Sequence, residues 1–353
     1  MLDYLIVGLG LAGISFAALL ERHNKTYHVI NDDSQVSSRV AGGLYNPVIL
    51  KRFTLAWKAR QQLQVAMPFY KGLEKKLGIP LDHKIPVLRR FASVEEQNLW
   101  FEAADSPGLD HFLSTRLQDN QNPEIHAPMG YGEVLYTGRI ATATLIDHYK
   151  RYLTDKDLLL QDTFDHKVLK ISGDAIVYKG IKAQRIIFAE GFGLKKNPFF
   201  NYLPLNGTKG ELLTIRAPGL KEKNVIKSSV FIIPLGEDRY RIGATYTWKD
   251  KSNTPTMEAK EELLQKLDTF VKCDYKVLEH VAGVRPTVTD RRPLVGPHPK
   301  YPNVFILNGL GSRGVMIAPF AAQQLYGHIE KNTPLLAEMD VMRFARKYAM
   351  NGL

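Results

Sequence analysis

Gly8, Gly10 and Gly13 stand in the spacing Gly-x-Gly-x-x-Gly, directly after the apolar run Tyr4-Leu5-Ile6-Val7. Such a turn can hold a pyrophosphate. Gly8 permits the sharp exit from a strand, Gly10 lets the phosphates reach the backbone, and Gly13 lets helix and strand pack closely. Leu11 and Ala12 complete the turn, and a helix-type pattern follows through Ile14, Phe16, Ala17, Leu19 and Leu20. The free N–H groups and positive dipole end of that helix would face the phosphates. A second apolar run, Thr26–Ile30, lies about 20 residues on, where a ribose-binding side chain is required. It ends in Asn31-Asp32-Asp33. Asn31 takes the usual carboxylate position, so either Asn31 or Asp32 is expected at the ribose.

The elements that must position this turn belong to a large chain. Its 353 residues fit one large domain or two interleaved ones. A hydrophobic content of 44% with 24% charged residues describes a globular enzyme. No apolar run reaches the ~20 residues that span a bilayer. The N-terminus enters a strand almost at once, without a basic leader, so the cytoplasm is the expected compartment. The single Cys273 excludes an internal disulfide framework and a multi-cysteine metal site. Net charge is +11, and ten Lys or Arg fall within residues 51–90 against only Glu74 and Asp82. That stretch reads as a solvated helix face or as a surface for a polyanion.

After the second strand, Ser34–Pro47 is dense in small residues. Gly42-Gly43 permits close backbone approach, and a flat ring would lie against Ser38, Arg39, Ala41, Gly42, Gly43 and Leu44. A flexible loop is the alternative. Leu44-Tyr45 and Val48-Ile49-Leu50 favour an anchored segment. A helix is expected over 54–77 with Thr54 at its cap and Gly78 beyond its end. Strands are expected over 81–91 and 133–137, and helix over 95–118, broken at Pro107-Gly108. A further helix covers Ala143–Leu153. His166–Ile171 and Ala175–Tyr178 form a hairpin about Ser172-Gly173-Asp174. Arg185–Phe188 is a buried strand leading to Ala189-Glu190-Gly191, where Gly191 would pass the adenosine end of a nucleotide. Glu211–Ile215, Val230–Pro234 and Tyr240–Tyr246 form an antiparallel sheet, and 256–271 a helix. Val304–Asn308 is a strand, followed by Gly309–Gly314 and a helix from about Val315.

Four segments in this order carry a resemblance: the N-terminal glycine turn, Ser37–Pro47, Gly283-Val284-Arg285-Pro286 with Asp290–Gly296, and Gly309–Gly314 before the last helix. The chain resembles the D-amino-acid oxidase and glycine oxidase family of FAD flavoproteins over nearly its whole length. Gly-Gly-Leu-Tyr-Asn-Pro and Gly-Leu-Gly-Ser-Arg-Gly are also similar to the FAD oxidase domain of the bifunctional enzyme that modifies carboxymethylaminomethyl-uridine in tRNA. The resemblance implies an α/β fold: a Rossmann-type FAD domain interleaved with an antiparallel-sheet substrate domain over the flavin. Residues 1–53, 138–205 and 280–353 would form the first, and 54–137 and 206–279 the second. It implies non-covalent FAD, with Cys273 outside the flavin-contact motifs, and no metal. It implies oxidation of a C–N bond beside a carboxylate by hydride transfer to flavin N5, with dioxygen or another acceptor taking the electrons.

On this resemblance Arg285 binds the substrate carboxylate, as a guanidinium pairs with two carboxylate oxygens; a structural arginine in the turn is the alternative. Tyr246 would hydrogen-bond that carboxylate or close the pocket, or else pack against Trp248. Tyr45 is a weaker candidate of the same kind. Gly309, Gly311, Ser312, Arg313, Gly314 and Val315 would follow the pyrimidine edge of the flavin. There Arg313 would add positive charge or bind a loop carbonyl. Asp290 caps a turn. The expected substrate is a glycine, D-amino acid or N-alkyl glycine; modified tRNA uridine is the alternative, followed by a flavoprotein without turnover and, less well, an NAD-dependent dehydrogenase.

Overall fold

The computed structural model describes residues 1–173 and 175–350. Two eight-stranded sheets dominate it. In the first, Leu2–Val7 pairs in parallel with Tyr27–Ile30 on one side and with Ile181–Phe188 on the other. Val304–Asn308 joins Ile181–Phe188 in parallel, and Leu159–Leu160 extends the opposite edge. Tyr4, Leu5 and Ile6 are fully buried, as are Ile186, Ile187, Phe188, Ile306 and Leu307. Continuous apolar runs of this kind suit a parallel sheet covered on both faces. Helices Leu11–Arg22 and Gly314–Lys331 pack together on one face.

The second sheet has the strand order Lys276–Arg285, Thr208–Arg216, Arg239–Gly243, Phe231–Gly236, Val225–Lys227, Val87–Arg90, Tyr131–Val134, Leu113–Gln118. It is antiparallel except where Val225–Lys227 meets Val87–Arg90. A small sheet of Leu44–Tyr45, Gly138–Ile140 and Asp82–His83 lies between the segments that build the two large sheets.

Several local expectations change. The helix expected from Thr54 begins at Ala59, because Thr54–Leu55 pairs back on Val48–Ile49 and Lys58 turns left-handed at φ 50°. The helix expected through 118 stops at Ala104. Beyond Pro107-Gly108, Leu113–Gln118 is an edge strand beside Tyr131–Val134, tied to the helix by the buried Trp100, whose indole N–H donates to the Ser114 carbonyl at 2.8 Å. The hairpin of Lys170–Ser172 and Ala175–Tyr178 forms, with His166–Val168 as a single 3-10 turn; Asp174 of its turn lies outside the described residues. The strand expected through Tyr246 ends at Gly243, and Val225–Lys227 is a strand that polar neighbours had hidden. No helix among the described residues is long and apolar enough to cross a membrane.

His298 gives the nucleotide-sheet side of the fold a pH dependence. Its Nδ1 accepts from the backbone N–H groups of Lys300 and Tyr301 at 3.1 and 3.2 Å, which requires a neutral ring. Burial pulls its pKa down from 6.5 to about 4. The unfolded chain therefore takes up this proton first as pH falls, so the stabilisation is complete above 6.5 and is lost as pH falls through about 4. Melting midpoints recorded from pH 7 to 4 should fall less steeply in His298→Asn, whose amide oxygen accepts without titrating.

Candidate active site

The glycine turn lies where Leu2–Val7 ends and Leu11–Arg22 begins. Gly8 has φ +101°, and a Cβ there would sit 2.5 Å from the Ala189 carbonyl oxygen. A Cβ on Gly13 would sit 2.0 Å from the Gly8 carbonyl oxygen. The helix starts at Gly10 with no capping side chain and no acidic residue in its first turn. Ser38 Oγ accepts from Leu11 N–H at 3.2 Å, and the neighbouring backbone is open to an anion.

A cavity of about 610 Å³ runs from this turn beneath the antiparallel sheet. Gly8, Gly10, Leu11 and Ala12 line its start, with Asn31 and Asp32 at the end of Tyr27–Ile30. Asn31 Oδ1 accepts from Leu9 N–H at 3.0 Å, which bends the turn; its amide donates to Asp33 Oδ1 at 2.7 Å. Asp32 accepts from Ser34 N–H at 3.0 Å. Burial opposes ionisation of Asp32, but the Ser34 hydrogen bonds outweigh it and hold the carboxyl below its ordinary range. Both side chains thus reach the cavity, and Asp32 carries the charge.

Ser38, Ala41, Gly42, Gly43 and Leu44 line the middle, as does Gly191 from the opposite side. Gly311, Ser312, Arg313, Gly314 and Val315 line the region where the last long helix begins. Arg313 lines the cavity, and its Nη1 donates to the carbonyl of Asn46 in the Tyr45–Pro47 segment at 2.8 Å. Burial lowers its pKa.

Five candidate residues do not line the cavity. Gly13 is buried under the turn, where it permits close packing. Gly309 has φ +74° and packs against Val288 and Leu294. Arg39 points away and forms a two-pronged ion pair with Asp147, since it follows Ser38 on a single helical turn. Tyr246 is 44% exposed and stands beside Arg285, with the guanidinium carbon 5.5 Å from its ring centroid. Its hydroxyl accepts from Arg291 at 2.7 Å, and its ring meets Trp248 edge-on at 5.4 Å. The strand ends before Tyr246, so alternation along the strand does not place it. Tyr45 is a core residue, 1% exposed and bonded to Asp82 at 2.8 Å. Asp290 caps its turn by accepting from Arg292 N–H at 3.0 Å and also pairs with Arg343.

Arg285 ends the strand Lys276–Arg285 and turns into the cavity. Its two terminal nitrogens reach only the Thr245 carbonyl, at 3.3 and 3.4 Å. No carboxylate pairs with it among the described residues. Burial lowers its pKa, and an arginine in such a position is short of hydrogen-bond acceptors. It lies over Gly210: a Cβ there would be 1.9 Å from Nη2 and 2.2 Å from the guanidinium carbon. Gly210→Ala should displace the guanidinium while leaving FAD in place. Raised KM with retained flavin absorbance checks this, and loss of flavin would contradict it.

Other lining residues carry no motif. Glu190 accepts from Asn197 at 2.6 Å and meets His166 Nε2 at 3.1 Å, beside Gly191 in the cavity wall. Lys227 enters from the Val225–Lys227 strand. The only hint of Glu190 was its place inside Ala189-Glu190-Gly191. Of the basic stretch, Lys51 lines the cavity, whereas Lys76 pairs with Glu21, Lys84 with Asp82 and Arg89 with Glu96. Cys273 packs beside Gly219, away from the cavity lining. No cluster of three or more His, Cys, Asp or Glu suited to a metal occurs among the described residues.

A strand–glycine turn–helix unit that opens into a cavity roofed by a second sheet is a dinucleotide-binding arrangement. The family model for FAD-dependent oxidoreductases of the DAO family matches residues 3–326, and the chain belongs to that family. It is 24% identical to glycine oxidase of Bacillus subtilis over 345 residues, covering 90% of each protein. It is 25% identical over 211 residues to the tRNA 5-methylaminomethyl-2-thiouridine biosynthesis bifunctional protein of Legionella pneumophila, across 50% of this chain and 32% of that protein. The chain thus spans about a third of that relative's length. Among solved structures, iminodiacetate oxidase from Chelativorans sp. BNC1 superimposes with a TM-score of 0.79 at 18% identity, covering 96% of this chain and 98% of that one. Glycine oxidase from Bacillus cereus gives 0.77 at 18% identity, covering 95% and 96%. FAD is the cofactor, and the uncapped helix start and the bare glycine turn suit its pyrophosphate.

Proposed function

We propose that this oxidoreductase oxidises the C–N bond of a small amine bearing a carboxylate, of the glycine, D-amino-acid or N-alkyl glycine kind. The observation that carries this is Arg285: a half-buried guanidinium facing the cavity with no anionic partner among the described residues. A substrate carboxylate would supply that partner and fix which C–H faces the flavin. FAD, when bound, supplies the hydride acceptor. Arg313, at the start of the last long helix, and the positive end of that helix would favour negative charge beside them. The names of the relatives agree with this chemistry. Dioxygen or another acceptor would then reoxidise the flavin.

Anaerobic bleaching of the flavin by glycine, sarcosine, D-alanine or D-proline tests the reading. A flavin that no carboxylate-bearing amine bleaches would overturn it.

A second reading, oxidation of a modified tRNA uridine, is favoured by one feature. Tyr246 and Trp248 are exposed by 44% and 45%, and the Arg291 guanidinium lies 5.7 and 5.5 Å from their ring centroids. Exposed aromatics flanked by cations suit stacked bases. Binding of undermodified tRNA that falls steeply with salt and weakens in Trp248→Ala would favour this reading.

A further inference from the structure

Lys227 and Arg285 stand on opposite sides of the same sheet wall. Four strand spacings and a four-residue offset along the strands, together on the order of 23 Å, separate their backbones, because Lys227 is in register with Val281 through Phe231, Gly243 and Leu212. Both side chains close that distance. Arg285 folds back over Gly210 on the neighbouring strand. Lys227 reaches the other way, its ammonium 4.6 Å from the centroid of Phe231 on the adjacent strand. With the guanidinium over Gly210 and the ammonium over Phe231, two strand spacings and a two-residue offset remain, on the order of 12 Å. Leu212, Gly243 and Ile233 form an apolar floor between them, and all of these residues line one cavity.

Among the described residues the Lys227 ammonium has no ion pair and no hydrogen bond; the group beside it is the Phe231 ring. Burial first, then Arg89 and Lys266, pull its pKa down to about 8. A lysine in this position is held against its own solvation, without the anion that would offset the cost. Packing alone asks only for its methylene stem.

We propose that the cavity takes a secondary amine with a carboxylate at each end, the near one on Arg285 and the far one on Lys227. This rests on the assignment of Arg285 to the substrate carboxylate. Lys227 is then a specificity residue. It selects an iminodicarboxylate over an N-alkyl glycine of equal length, because an apolar tail leaves the ammonium unpaired.

The test reads binding to the FAD-loaded protein by perturbation of the flavin absorbance. Glutarate, adipate and pimelate are each titrated against the monoacid in which one carboxylate is replaced by isopropyl: 5-methylhexanoate, 6-methylheptanoate and 7-methyloctanoate. At least one diacid should bind about tenfold tighter than its partner, as expected for a charge-assisted hydrogen bond. Lys227→Met should bring that preference to within about twofold while the monoacids bind unchanged or tighter, and Lys227→Arg should keep it. Lys227→Gln serves the same purpose if the Met variant does not load flavin. Equal binding of diacid and monoacid by the wild type would overturn the proposal, as would a Met variant that weakens both alike. Because turnover is not read, the outcome is separate from that of the amine-bleaching experiment. A Lys227-dependent diacid preference in a protein whose flavin no amine bleaches would sustain the two-carboxylate site and overturn the amine between them.

Discussion

Arg285→Ala should lower kcat/KM for any carboxylate-bearing amine by at least about a hundredfold. Two charge-assisted hydrogen bonds disappear at once, each worth about 1.5–3 kcal/mol. The partner carboxylate is then left in a wall built from Leu212, Phe231 and Ile233. The flavin should stay bound, because the residues around the glycine turn are untouched. Arg285→Lys should recover only part of the loss, since an ammonium is a point charge and cannot present the planar fork. Rapid-reaction measurement of anaerobic flavin reduction separates the two effects. A drop in the limiting reduction rate reports lost orientation, and a raised half-saturation reports lost binding. An Arg285→Ala protein that keeps both the wild-type limiting reduction rate and the wild-type half-saturation would remove this residue from the site.

The second large effect is expected at Gly13. Alanine is favoured over glycine in a helix by about 1 kcal/mol. Gly13→Ala should nonetheless destabilise the protein, because its Cβ would lie 2.0 Å from the Gly8 carbonyl oxygen. That atom is backbone and cannot swing aside. Overpacking of this kind costs about 1–3 kcal/mol, and here it also separates the helix start from the strand end that together hold the pyrophosphate. The variant should melt earlier and purify with little flavin. Gly72→Ala is the matching control. Gly72 is exposed in helix Ala59–Leu77, and its nearest neighbour would be Arg22 Nη2 at 3.7 Å. There the helix preference should prevail and raise the melting midpoint. Destabilisation at Gly72 rather than at Gly13 would contradict the packing argument.

These two glycines show why one part of the site was legible and another was not. The requirement at Gly8, Gly10 and Gly13 is local: a strand, a turn and a helix start within a dozen residues, so spacing alone encodes it. Arg285 was reachable because Gly283–Pro286 is also a short motif. Lys227 was not. Its place in the wall follows from the pairing of Phe231–Gly236 with both Arg239–Gly243 and Val225–Lys227, and no pattern within the segment records that register. Tyr246 misled for a related reason. Alternation along a strand places a side chain only while the ladder lasts, and here the regular ladder ends at Gly243. From there Thr245 bonds to Glu211 and presents its carbonyl to Arg285. Arg39 misled at shorter range: one helical turn carries Ser38 toward the cavity and Arg39 to Asp147. In the stretch 113–118, alternation competed with a helix already running from Val94, and the break at Pro107-Gly108 decided it.

The pairing of Leu2–Val7 with Ile181–Phe188, and of that strand with Val304–Asn308, sets a timetable for biosynthesis. The glycine turn is translated ahead of the strands Ile181–Phe188 and Val304–Asn308 that complete its sheet. Ala189, which closes against Gly8, follows some 180 residues later, and Gly311–Val315 come later still. A ribosome making this chain therefore adds some 180 residues past the phosphate-binding turn before the first of these surfaces exists. Strand Leu2–Val7 meanwhile has one flank unpaired, and such an edge is prone to wrong pairing. Flavin capture should be a late event. Nascent chains arrested before Val304 should hold no FAD, and chains extended past Lys331 should acquire it. Capture by the shorter chains would mean that the first half of the sheet assembles a nucleotide site by itself.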